Sequence, residues 1–347
     1  MLGSYTDSNS AYTVLAGLAR GLLITAAAVA IPALASAQSA EAASDPPSFF
    51  VLDNTGDPSF NQLLGINDGR IIVGYFGDGT TITNRGYVLV PPNHYSAENF
   101  LINKDPAPQT QAIGINNKNV PDIVGFYTDA AGVTHGFFDN GVMTPIDDPA
   151  GSAPHVTTPL QNLLGINTSD EAAGFWTDNN NHEHGFIVHI DTKSPTSSTF
   201  TEIPPSTFPG AVATQASDIT DEHEICGFWT DAKGNNHGFS GQKNHFVTFD
   251  VKIGGMTATS TSPFGCNNRG EIVGSFTDSK GNVHGFLAVG NRFSQFDATG
   301  SSQTAAFNVM GTFINGVNDD GDIVGFFSDG HKVNGFVNFT HRNDDPE

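Results

Sequence analysis

One segment limits what this chain can fold into more than any other: GINDGRIIVGYFGD at 65–78, which returns five more times along the chain. The copies are GINNKNVPDIVGFYTD (114–129), GINTSDEAAGFWTD (165–178), DITDEHEICGFWTD (218–231), GCNNRGEIVGSFTD (265–278) and GVNDDGDIVGFFSD (316–329). Their central glycines, Gly74, Gly125, Gly174, Gly227, Gly274 and Gly325, lie 47 to 53 residues apart. A repeat of about fifty residues is one supersecondary unit, and it buries its apolar faces only against neighbouring copies.

Each unit runs on through a short polar stretch to His-Gly-Phe, at His135, His184, His237 and His284, and then to a segment such as HFVTFD (245–250) or RFSQFD (292–297). Apolar runs bounded by Asp-Gly and Asn-rich turns give four strands per unit. The second strand is apolar on alternate sides, with Phe126 and Tyr127 or Phe228 and Trp229 in succession, so both of its faces need cover. The sixth unit stops after NGFVNF (334–339), while 49–53 supplies a fourth-strand segment ahead of the first unit. The expected fold is all-β, a six-bladed β-propeller over 49–341 with four antiparallel strands per blade, closed by an N-terminal strand completing the last blade. An open solenoid has no reason for complementary ends.

Gly21 to Ile31 form a short apolar run after Arg20, followed by Ala35-Ser36-Ala37, so 1–37 reads as an export signal, 38–48 as a linker and 342–347 as an acidic tail. Eleven apolar residues are too few to span a bilayer, which takes about 20. The chain has 14 Lys and Arg against 36 Asp and Glu, a formal −22. That surface repels phosphate backbones, and nucleic acid and membrane insertion are not expected. Cys226 and Cys266 each replace an apolar residue of the repeat and read as buried thiols.

The combination of GINN-x-G-x-IVG, TD-x-x-G and HGF resembles the extracellular His-Ala-Phe repeat family over about residues 49–339, with Gly136, Gly185, Gly238 and Gly285 at the alanine position. The resemblance implies a secreted repeat protein with this fold and supplies no catalytic residues.

Asp78, Asp129, Asp178, Asp231, Asp278 and Asp329 occur in all six units, and His135 and His284 belong to the repeat as well. The expectation is a hairpin in which Asp caps the turn, Gly takes positive φ, and Asp and His bond across it. Candidate ligand-binding groups are polar residues beginning the first strand, Thr110, Gln111, Gln161, Thr214 and Gln215, together with His155, His182, His184 and His237. No zinc signature, nucleophile elbow or phosphate loop appears. No cofactor is identified, though calcium or another divalent metal at the carboxylate-rich 318–322 is the alternative weighed. The leading expectation is a secreted monomeric module binding a polar small molecule, glycan or protein. Its competitors are a hydrolase or lyase on a polysaccharide or lactone-like substrate, using His155, His182, His184, His223 and His237, and a structural protein of the cell surface.

Overall fold

The computed structural model describes residues 48–340 except 153–155, 158 and 244. The expected signal, linker and tail lie almost wholly outside the described residues. Among those described, six four-stranded antiparallel sheets form a ring of blades. The inner strands are Asn61–Ile66, Gln109–Ile115, Gln161–Ile166, Ala211–Ile219, Ser260–Cys266 and Thr312–Val317. Blade 6 takes its outer strand, Ser48–Val51, from the start of the propeller, paired to Val333–Phe339 with Phe49 opposite Asn338. The fold expectation holds, including the closure.

Every inner strand carries a bulge, one extra residue between the pairs on either side. The extra residues are Leu64, Ile113, Leu164, Ser217, Phe264 and Asn315. The central glycine of the second strand follows from this irregularity. A Cβ at Gly74, Gly125, Gly174, Gly227, Gly274 or Gly325 would sit 2.0–2.1 Å from an inner-strand carbonyl oxygen. The same Cβ would also meet the aromatic of the third strand, such as Phe137 at Gly125 and Phe286 at Gly274, 2.8 and 2.7 Å away. Phe137, Phe186, Phe239, Phe286 and Phe336 are fully buried, and removing any one of these rings costs about 3–5 kcal/mol.

Turns between first and second strands hold the ring together at one rim. Asn67 Nδ2 donates to the carbonyl of Asn116 in the next blade at 3.1 Å, Asn116 to Asn167 at 3.2 Å, and Asn167 to Thr220 at 3.1 Å. Asn267 donates to Asn318 at 2.7 Å, and Asn318 returns to Asn67 at 3.2 Å, so five of the six joints carry this bond. The asparagine of the repeat is thus a clamp between blades. A second set of bonds runs beside it, in which Asp68 N–H is received by Asn117, Asp221 by Asn268, Asn268 by Asp319, and Asp319 by Asp68, all at 2.8–2.9 Å.

Candidate functional site

On the opposite rim, the hairpins between second and third strands are built as expected. Asp129 Oδ1 accepts the N–H groups of Ala131 and Val133, and Asp178, Asp231 and Asp278 accept the corresponding pairs, all at 2.7–2.9 Å. Asp78 and Asp329 cap their turns likewise. Gly132, Gly234 and Gly281 take φ of 84°, 85° and 87°.

The histidine bonds elsewhere. His135, His237 and His284 direct Nδ1 at an aspartate ending the outer strand: Asp147 at 2.6 Å, Asp250 at 3.0 Å and Asp297 at 3.0 Å. The turn aspartate faces Nε2 from 3.7 Å, outside hydrogen-bond reach. Each ring lies beside the second-strand aromatic, with centroids 5.1 Å from Tyr127, 4.2 Å from Trp229 and 5.2 Å from Phe276. The hydrogen bond that each imidazole makes to the outer-strand aspartate raises all three above the ordinary histidine value, against the opposing effect of burial. The aspartates Asp147, Asp250 and Asp297 were missed in the sequence, although each follows its histidine by 12 or 13 residues.

Blade 3 departs from this pattern, because Pro204 follows its outer strand where blades 2, 4 and 5 have the aspartate. His184 stacks on Trp176 at 4.1 Å and approaches Asp178 at 3.4 Å, and His182 Nδ1 lies 3.7 Å from the same carboxylate. Burial pushes the Glu183 carboxyl up to about 7. His155 lies outside the described residues. His223 sits on the other rim, its Nδ1 2.5 Å from Glu171.

The polar residues that begin the inner strands are buried braces for the loop entering each blade. Thr110 accepts the Phe100 N–H, Thr214 donates to the Ile203 carbonyl and accepts the Gly185 N–H, and Gln161 holds Asp148 and Ser152. Gln111 Nε2 donates to Asn84 at 3.3 Å. Gln215 alone of the five lines the central cavity, with the six bulge residues. In 318–322 the carboxylate of Asp322 is engaged by Arg70 at 2.8 Å, Asn318 at 3.2 Å and the Thr340 N–H at 2.9 Å. Among the described residues no three His, Cys, Asp or Glu gather closely enough to hold a metal ion, and no helix is long and apolar enough to cross a membrane. Cys226 and Cys266 are buried and unbonded.

A groove that was not among the expectations lies over blade 5, where the loop from blade 4 folds into a small hairpin of Lys252–Ile253 and Met256–Thr257. Val251, Ile253, Met256, Ala258 and Phe276 form an apolar wall, and Asp278, Ser279, His284 and Gln295 form a polar edge. Gln295 Nε2 donates to Asp297 at 2.7 Å and lies 3.0 Å from His284 Nδ1, which fixes the edge. Burial raises Asp297, but hydrogen bonds from His284 and Gln295 outweigh it and leave the carboxyl lowered. An apolar wall with a few convergent polar groups is the usual chemistry of small-ligand sites.

No protein-family model and no curated protein sequence matches the chain. Solved structures do. An Aleuria aurantia lectin variant in complex with alpha-methyl-L-fucoside matches with a TM-score of 0.50 and 11% identity, covering 80% of this chain and 90% of the lectin. The same lectin in complex with Fucalpha1-6GlcNAc gives 0.50 and 11%, covering 80% and 91%. At this identity the likeness shows the fold alone.

Proposed function

We propose that this chain is an exported propeller of the His-Ala-Phe repeat kind that binds a neutral glycan ligand in the blade 5 groove. The observation that carries the reading is the groove's composition. Met256 and Ile253, in a lining that includes the buried Phe276, offer apolar surface to the C–H face of a sugar ring, and His284 and Gln295 offer hydrogen bonds to its hydroxyls. A neutral ligand suits a site with no Lys or Arg in its lining, on a chain whose net charge of −22 repels anions. The fucoside-bound lectins of similar fold support a glycan and make L-fucose the first probe.

The test is saturation-transfer NMR with L-fucose, D-galactose, D-mannose and N-acetylglucosamine, followed by a glycan array. Wild type should respond to at least one sugar, and Val251→Phe should lose that response while melting normally. A wild type silent on the array, or a Val251→Phe protein that binds equally well, overturns the reading.

A further inference from the structure

Five inner strands place a glycine directly after the bulge: Gly65, Gly114, Gly165, Gly265 and Gly316. Blade 4 places Asp218 there. The position is tight, since a Cβ at Gly65, Gly114, Gly265 or Gly316 would lie 2.5–2.9 Å from a carbonyl oxygen of the next blade's bulge residue. A carboxylate in so narrow a place is the sharpest departure from the repeat in this part of the molecule. Asp218 Oδ1 accepts the N–H of Ile219 at 2.9 Å, and Oδ2 that of Cys266 at 3.0 Å. Each oxygen keeps lone pairs beyond that one bond. The residue lines both the central cavity and the mouth above it.

Three residues of the same lining each carry a buried acceptor without a hydrogen-bond partner: Gln215 Oε1, Ser217 Oγ and Asn315 Oδ1. Gln215 and Ser217 are only 2% and 3% exposed. No Lys, Arg or His lines either the cavity or its mouth. Buried acceptors without donors, and a carboxylate at depth without a counter-charge, are each costly. Burial pushes Asp218 up to about 7, as expected of a carboxyl lacking a positive partner. Everything the cavity needs is a positive charge.

We propose that the central cavity is a binding site for one small monovalent cation of the ammonium or potassium class, held by Asp218, Gln215, Ser217 and Asn315. One carboxylate balances one charge, whereas protein sites for calcium gather several. The cavity volume is about 60 Å³; at roughly 10–15 Å³ per water this admits an ion with a few waters. Asp221 and Asp319 at the mouth, with Asp68 bonded to Asp319, raise the local cation concentration. The site is independent of the blade 5 groove.

The test is thermal melting at constant ionic strength, with choline chloride replaced stepwise by ammonium, potassium, sodium or calcium chloride. Ammonium or potassium should raise the wild-type melting temperature saturably by about 2 °C. Asp218→Asn should abolish that rise, and Glu202→Gln on the exposed outer strand of blade 3 should retain it. Crystals soaked in thallium(I) acetate give a readout that needs no variant, with one anomalous peak expected in the cavity. Identical wild-type melting in all the salts, an undiminished response in Asp218→Asn, a preference for calcium, or no thallium peak in the cavity would each overturn the proposal.

Discussion

The loops entering blades 2 and 5 have one backbone design and opposite results. Each folds into a two-residue hairpin, Leu101–Ile102 with Asp105–Pro106 in one and Lys252–Ile253 with Met256–Thr257 in the other. Phe100 N–H bonds Thr110 and its carbonyl receives Ala107; Val251 N–H bonds Thr261 and its carbonyl receives Ala258. In blade 2 the Phe100 ring lies flat on Tyr127, with centroids 3.7 Å apart and planes within 3°, and fills the space. In blade 5 the smaller Val251 leaves a groove whose lining includes Phe276, a ring as buried as Tyr127, and the exposed Met256. A repeat makes six similar places, and one side chain decides which of two keeps a groove.

The comparison can be broken from either side. Phe100→Val should open a second groove in blade 2 and cost about 2 kcal/mol in chemical denaturation, since a buried ring gives way to a partial cavity. A stability loss under 0.5 kcal/mol would mean that Phe100 does not fill that space. Val251→Phe should close the blade 5 groove and weaken sugar binding at least tenfold, about 1.4 kcal/mol, by titration calorimetry. Gln295→Ala removes one hydrogen-bonding group from the edge and should weaken binding about fivefold, near 1 kcal/mol, without abolishing it. Unchanged affinity would move the ligand off this edge.

The smallest effect is in pH. His135, His237 and His284 have raised values in the fold, so their stabilisation is fully present below the unfolded histidine value and is lost as pH rises through the folded one. Glu183, raised to about 7 by burial, acts in the same direction. Melting should therefore be highest near pH 5 and fall toward pH 8. Asp147→Asn should flatten this slope by about 1 kcal/mol or less, as read from melts across that range. A steeper slope in the variant would refute the pairing of His135 with Asp147.

The blades were legible because turn formers, glycines and aromatics recur in step, and closure was legible because the surplus strand at 49–53 matched a deficit after 339. The bulges were not, since an extra residue shows only when the register of two strands is known. Asn67 and its counterparts read as ordinary turn residues because each clamp's partner lies about fifty residues away. Thr110 and Thr214 looked available for a ligand, but their hydroxyls are taken by the backbone of the incoming loop. The groove was hidden because FLINKDPA and VKIGGMTA share a backbone course and almost no letters.

The ring of asparagine clamps has a mechanical side. Between blades 6 and 1 Asn318 and Asp319 reach across and Arg70 grips Asp322. Between blades 4 and 5 the chain is continuous, but Thr220 stands in the asparagine's place and its hydroxyl turns back to the Glu224 N–H within its own turn. That joint is held instead by the Asp221 N–H on Asn268 and the Cys266 N–H on Asp218. Every joint between blades is therefore backed by continuous chain, and the one seam closed by strand pairing alone lies inside blade 6, where Ser48–Val51 meets Val333–Phe339.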